Sequence, residues 1–260
     1  MNINFIESTR NKVIQDCKKI LGSASYRKKT NKTLLDGRKL ILEYADNFGL
    51  KGVEILISRS AFEEGFHNAI ANAENGRFSV VSDNLFSQVS SVSGSQGVVG
   101  VVPIPRRDTS TRFDEFQVIL VIDGVQDPGN IGAIVRLSCA FKVDLVVLSN
   151  QCGDLWSPKS IRGGMGAQFR QRFIQGDINL ILKEFQGRKI GIAPNKGQSI
   201  RDIEFHTPIA LIYGSEGRGI SQPVNASIDS FVHIPLSSKV DSLNVGSAVA
   251  ICLYEMSRGR

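Results

Sequence analysis

Apolar residues fall along this chain in short continuous blocks, separated by stretches of helical spacing. Val118 to Val121 is a continuous run rich in β-branched residues, which predicts a strand buried on both faces of a parallel sheet. Similar blocks predict strands at Val53 to Ser58, Phe78 to Val81, Val98 to Val102, Asp144 to Ser149, Phe169 to Ile174, Lys189 to Ala193, Ile209 to Tyr213 and Phe231 to Ile234. Helical spacing predicts helices over 6–21, Leu34 to Phe48, Ala61 to Ala73, Ile178 to Phe185 and Ser242 to Arg258, with a turn at Leu85 to Val89 and a short helix opened by Ser157-Pro158-Lys159. Asp127-Pro128-Gly129-Asn130 is turn chemistry, and Asn130 is predicted to cap a helix carrying Ile131, Ile134, Val135 and Leu137. Ser242 is predicted to cap the closing helix. The alternation implies an α/β protein with a parallel-rich sheet covered by helices on both faces.

The proline-rich, polar stretch 103–114 divides the pattern. A small α/β domain is expected over 1–102, a linker over 103–114 and a second α/β domain over 115–260. Charge differs between the parts. Residues 1–112 hold 16 basic and 11 acidic residues, against 15 and 14 in the remainder, so most of the net charge of +6 sits at the front. A polyanion, with nucleic acid the commonest, is the partner this suggests. The basic bias peaks across 10–39, where Gly22 to Lys32 reads as a polar loop. There Tyr26 is placed to stack on a base, while Arg27, Lys28, Lys29 and Lys32 hold phosphates. Arg38 and Arg162 complete the expected RNA-binding set.

Other classes lose support. The opening MNINFIESTRNK lacks the apolar core of a signal peptide, and no apolar run approaches the roughly 18 residues of a membrane span. A cytoplasmic protein without membrane contact is expected. Cys17, Cys139, Cys152 and Cys252 are scattered, and only His67, His206 and His233 could join them, so no metal site is expected. Three loops at predicted strand ends carry the candidate chemistry: Ala193 to Gly197, Gly214 to Gly219, and Pro235 to Asn244. The middle one reads G-x-x-G-x-G, which is not the dinucleotide fingerprint, and no P-loop motif occurs anywhere. Gly214, Gly217 and Gly219 are expected to allow positive φ and close approach of backbone to a ligand. Glu216 sets a carboxylate among them.

NIGAIVR (130–136), YGSEGRGIS (213–221) and IPLSSKVDSLNVGSAVAICLYE (234–255) resemble, in order and spacing, motifs 1, 2 and 3 of the SpoU branch of the SPOUT RNA methyltransferases. SPKSIRGGMGAQFR (157–170) resembles the segment between motifs 1 and 2 in rRNA-modifying members, and YRKKTNKTLLDGRKLI (26–41) the start of the SpoU substrate-binding domain. Gly246 departs from the pattern, which often has serine there. The resemblance implies a C-terminal α/β domain tied in a deep trefoil knot, an L30e-like front domain, a homodimer through the knot domain, and S-adenosylmethionine as cofactor. It implies methylation of a ribose 2'-hydroxyl, with 23S-type rRNA as first expectation. A tRNA substrate, or a non-catalytic RNA-binding or ribosome-assembly role on the same fold, are the alternatives. By the same resemblance Arg136, Asn130, Glu216, Ser242 and Asn244 are the catalytic candidates. Ala193, Pro194, Asn195, Tyr213, Gly214, Glu216, Gly217, Ile234, Leu236, Leu243 and Asn244 are the cofactor-binding ones. A guanidinium has no acceptor and stays protonated, so Arg136 is expected to hold an RNA phosphate and steady alkoxide charge rather than act as a simple base.

Overall fold

Two groups of apolar strands build two sheets, seen in a computed structural model that describes residues 3–69, 76–92, 94–105 and 112–258. The first unit covers Met1–Arg106 together with Trp156–Arg162, and the second covers Arg107–Leu155 and Gly163–Arg260. The expected division near residue 103 is therefore crossed once. Trp156–Arg162 belongs with the front unit, where the Thr33 hydroxyl donates to Trp156 O at 2.6 Å and Arg162 donates to Ser91 O at 3.2 Å.

In chain order the first unit runs β1 (Ile3–Ile6), α1 (Lys12–Gly22), α2 (Ala24–Thr30), β2 (Lys32–Asp36), α3 (Arg38–Phe48), β3 (Glu54–Ser58), α4 (Arg59–Glu63), α5 (Phe66–Ala69), β4 (Arg77–Val81), α6 (Asp83–Ser87) and β5 (Val98–Pro103). Its five strands lie in the order β1-β4-β3-β5-β2, with β5 antiparallel to both neighbours. Ile14, Cys17 and Ile20 of α1 pack on Leu34, Leu56, Val99 and Val101 of the sheet.

Three expectations change here. Gly22 to Lys32 is not a loop. Ser23 caps α2 by accepting from Tyr26 N at 3.2 Å, and Asn31 ends it in the left-handed conformation. Leu34 does not begin a helix. Thr33, Leu34 and Leu35 are all buried, which a strand with both faces covered permits, and Gly37 at φ 119 turns the chain into α3. The helix expected from Ala61 to Ala73 is broken by Gly65 at φ 83, and 70–73 lie outside the described residues, as do 106–111 of the expected linker.

The second unit runs β6 (Val118–Asp123), α7 (Pro128–Ala140), β7 (Leu145–Ser149), β8 (Phe173–Gly176), α9 (Ile178–Glu184), β9 (Arg188–Ile192), β10 (Gln198–Ser199), β11 (Ile209–Gly214), α10 (Gln222–Asn225), β12 (Ser230–His233) and α11 (Val245–Arg258), while α8 (Pro158–Gly164), between β7 and β8 in sequence, lies mostly in the front unit. The strand order is β10-β12-β9-β11-β6-β7-β8, and every pair is parallel. All six residues of β6 are buried, five as the uninterrupted apolar run requires and Asp123 with its carboxylate accepting from Ser221 N at 2.8 Å. Phe169 does not start a strand, because Ala167–Phe169 is a 3-10 turn and Gln171 is buried with its amide on Val143 O at 2.8 Å.

Strands β7 and β8 extend to one side of β6, and β11, β9, β12 and β10 to the other. That reversal leaves a crevice at the carboxyl ends of β6 and β11, where open parallel sheets bind ligands. Gly214 and Asp123 end those strands in register.

Candidate functional site

Loops leaving β9, β11 and β12 converge at this crevice around a cavity of about 280 Å³. Ile192, Ala193 and Pro194 form one wall, Tyr213, Gly214, Ser215, Glu216, Gly219 and Ile220 a second, and Ile234, Leu236, Ser242, Leu243, Val245 and Ala248 a third. Its size is near the lower bound of small-molecule sites, about 300–1,000 Å³. Tyr213 is 2 % exposed. Burial raises its phenol above the ordinary range and pushes the neighbouring Cys252 thiol up to about 11, so both stay protonated at neutral pH.

The glycine-bearing turn after β11 is closed on itself. Ser215 and Gly219 exchange both backbone hydrogen bonds, at 3.1 and 2.8 Å, and Gly219 sits at φ 66. A Cβ on Gly214 would stand 2.0 Å from Gly219 C and 2.2 Å from Ile220 N. The close approach that Gly214 permits is thus of backbone to backbone, not of backbone to a ligand. Gly217 faces open space and needs no special conformation.

At the cavity mouth the three motif segments meet through side chains. Asn130 Nδ2 donates to Glu216 Oε1 at 3.0 Å. Asn244 Nδ2 donates to the same oxygen at 3.1 Å and to Asn130 Oδ1 at 3.0 Å. Glu216 thus pairs with two amides, not with Arg218, and among the described residues Oε2 has no bonding partner. Asn130 is not the helix cap. Asp127 is, accepting from Asn130 N at 3.0 Å with Pro128 at the first helical position, which frees the Asn130 side chain for the cluster. The Asp-Pro pair is the sequence signal for this. Ser242 does not cap the closing helix either. Asn244 does so, its Oδ1 accepting from Gly246 N at 2.9 Å, while Ser242 stands on the cavity wall.

Arg136 does not join this cluster. It lies six residues beyond Asn130 on α7, about 9 Å along the axis and about 120° round it. It is exposed, and among the described residues it has no hydrogen bond or ion pair. Asn195, Gly217 and Asn244 are not among the cavity-lining residues; Ile192, Ser215, Gly219, Ile220, Val245 and Ala248 line it beyond those the sequence suggested. The last two lie on the inner face of a helix that starts at Val245, not at Leu243.

Two of the front-unit candidates turn inward. Arg27 is 5 % exposed, and its guanidinium donates to the carbonyls of Ile20 and Leu21, closing the end of α1. Tyr26 packs against the core and donates its hydroxyl to Asp16 at 2.8 Å. Neither is a free RNA contact; a loop reading hides this, because only helical geometry aims residue 27 at the preceding helix. Lys28 and Lys29 are exposed, and Lys32 and Arg38 partly so.

Among the described residues no group of three His, Cys, Asp or Glu side chains could hold a metal ion, and no helix is long and apolar enough to cross a membrane. Residues 117–254 match the SpoU rRNA Methylase family. The chain is 30% identical over 255 residues to the 23S rRNA (guanosine(2553)-2'-O)-methyltransferase RlmP of Bacillus subtilis, covering 96% of this chain and 98% of that protein. A crystal structure of an RNA 2'-O ribose methyltransferase superposes with a TM-score of 0.82 at 24% identity, over 98% of this chain and 99% of that one. An AdoMet-bound rRNA methyltransferase from Sinorhizobium meliloti gives 0.82 at 21%, covering 98% of both chains. At those identities the two structures speak for the fold.

Proposed function

Because the chain belongs to the SpoU rRNA methylase family, we propose that it is an S-adenosylmethionine-dependent methyltransferase acting on a ribose 2'-hydroxyl of large-subunit rRNA. The observation that carries this reading is the hydrogen-bonded meeting of Asn130, Glu216 and Asn244 at the mouth of the strand-end cavity. The rRNA substrate is favoured over tRNA by the Bacillus subtilis relative, which the chain matches almost end to end.

The cavity suits the cofactor. Ile192, Ile220, Ile234 and Leu236 offer apolar walls for a purine, and the loops around Gly214, Ile234 and Leu243 bring backbone groups to its edge. When bound, S-adenosylmethionine supplies an electrophilic methyl group on a sulfonium. The chain's own residues then align the acceptor and manage its proton. Asn130 and Asn244 fix Glu216, whose free Oε2 orients the ribose. Arg136 holds the RNA phosphate bidentately and steadies charge on the 2'-oxygen as its proton departs to that phosphate.

Arg136 stands apart from the cluster within one chain, and we propose that a homodimer through the second unit completes the site. We assign Arg136 of one protomer to the acceptor side of its partner's cavity. Support comes from α11, which packs on α7 and leaves Ile251 36% and Tyr254 57% exposed, a helical surface suited to a second copy. The trefoil knot and a cytoplasmic location belong to the same reading.

Mapping 2'-O-methyl positions in rRNA from cells with and without the protein tests the activity. Loss of at least one large-subunit position is expected; an unchanged map, or no S-adenosylmethionine binding by calorimetry, sinks it. On the front unit, Lys28→Glu with Lys29→Glu is expected to weaken RNA binding and to lower the slope of log affinity against log salt by about 0.7–0.9 for each phosphate no longer neutralised. Arg27→Ala is expected to act differently, lowering unfolding stability by about 2–3 kcal/mol, since two carbonyls lose a charged donor. Equal salt slopes for the two variants would return Arg27 to the RNA surface.

A further inference from the structure

The front unit carries a second cavity, of about 800 Å³, at the carboxyl ends of β3 and β4. Serine hydroxyls dominate its lining: Ser58, Ser60, Ser87, Ser90, Ser91 and Ser95. What matters is where their protons go. Ser90, Ser91 and Ser95 donate to the Asp36 carboxylate at 2.8, 2.9 and 2.7 Å. Ser60 donates to Asp83 at 2.7 Å, and Ser58, 3.1 Å from Ser60 Oγ, is left to donate to that oxygen. Ser87 donates to Asn84 O at 2.8 Å. A hydroxyl has one proton and two lone pairs. With every proton committed inward, these six oxygens can offer a ligand only acceptance.

The charged groups point the same way. Glu64 and Asp83 add carboxylates to the rim, and Ser60 holds the Asp83 carboxyl below the usual range, so it stays ionised. Arg38 is the cation of the lining, and it is engaged by Glu64 and by Gln96 O at 3.1 Å. Gln96 adds an amide whose Oε1 is taken by Arg38 N at 2.9 Å, so its NH2 is a donor in the lining, yet the hydroxyl and carboxylate acceptors outnumber it. A site with this balance disfavours phosphate and suits a ligand rich in N–H and O–H donors. Its volume is far beyond a bare cation and fits a nucleotide-sized group. The Arg38 guanidinium, 5.3 Å from the Phe66 ring centre, adds a planar edge of the kind on which unstacked bases rest.

We propose that this serine-lined groove takes an unpaired nucleotide of the RNA substrate by accepting hydrogen bonds from its ribose 2'-hydroxyl and base amino groups, leaving the phosphates to the lysines elsewhere. The inference rests on the RNA-modifying reading above. It makes the front unit a reader of RNA chemistry and not only a basic anchor: a 2'-hydroxyl donor is absent from DNA.

The test uses the full chain, a fluorescein-labelled single-stranded 20-nucleotide RNA of mixed sequence, and DNA of the same sequence. Ser87 is exposed on α6, so Ser87→Leu narrows the groove without touching the core. The wild type is expected to prefer the RNA over the DNA by about tenfold, the worth of one or two hydrogen bonds. Ser87→Leu is expected to bring RNA binding down to the DNA level, with an unchanged salt slope and unchanged S-adenosylmethionine affinity. Wild-type RNA preference in the variant overturns the proposal. So does a loss accompanied by a shallower salt slope, which would make the groove a phosphate site. Methyl transfer to bulk rRNA by the wild type is measured alongside. Its absence defeats the enzymatic reading, whereas an active wild type matched by Ser87→Leu in RNA discrimination defeats only the groove.

Discussion

Arg136→Ala is expected to lower the rate of methyl transfer by about 10²–10³-fold, the usual loss when one charge-stabilising donor is removed from a reacting centre. S-adenosylmethionine affinity and thermal stability are expected to stay at wild-type values. The physical ground is the residue's isolation. It is exposed, it bonds to no other described residue, and it does not line the cavity. Truncation therefore leaves no orphaned partner behind. Glu216→Ala is expected to be comparably inactive, because the two amides that converge on Oε1 lose their common acceptor.

Mixing the two dead variants separates two geometries. If Arg136 serves its own chain's site, a heterodimer holds one site lacking the arginine and one lacking the glutamate, and no activity returns. If it serves the partner's site, the twofold symmetry of a dimer puts both defects in one site and leaves the other whole. An equal mixture, after exchange of subunits, is then expected to regain about a quarter of wild-type activity, since about half of the dimers are mixed and each has one intact site of two. No recovery, with exchange verified, would place Arg136 in its own chain's site.

The legibility of the second unit followed from how its strands are buried. Strands covered on both faces need uninterrupted apolar runs, so Val118–Asp123, Leu145–Ser149 and Ile209–Gly214 announced themselves. The loops after β9, β11 and β12 were equally visible, because a parallel sheet leaves its ligand groups at strand ends. Side-chain partners were less visible. A polar residue near a helix start has two uses, capping and contact, and the choice turns on which neighbour takes the cap. Asp127 took it from Asn130, and Asn244 took it from Ser242. In the front unit the difference between sequence and structure has another source. Tyr26-Arg27-Lys28-Lys29 is a run of like character, but a helix points successive residues about 100° apart, so a basic run divides into an inner and an outer face. Arg27 went inside with its charge solvated by carbonyls, a solution that composition does not reveal.

Gly214→Ala is expected to be the most damaging single methyl in the second unit. The added carbon would meet the backbone of Gly219 and Ile220 at 2.0–2.2 Å, and backbone cannot swing aside as a flexible side chain does. Relief requires opening the Ser215–Gly219 pairing or pulling Gly214 out of register with Asp123. Either movement carries Ser215 and Glu216 away from the cavity wall, and Glu216 from the amides of Asn130 and Asn244. A stability loss of about 1–3 kcal/mol is expected from the overpacking. The functional loss should be larger, about 10²-fold in methyl transfer, because a displacement on the order of 1 Å is enough to spoil alignment of reacting groups. Weaker S-adenosylmethionine binding is expected with it, read by calorimetry below the variant's unfolding temperature. Gly217→Ala, in the same turn but facing open space, is the matched control and should behave as wild type in both measurements. If the two alanines act alike, the turn tolerates its own rearrangement and the close approach at Gly214 does not hold the site together. If only Gly214→Ala fails, and fails in cofactor binding as well as in stability, the turn after β11 is the element that keeps the cavity and the carboxylate cluster in one geometry.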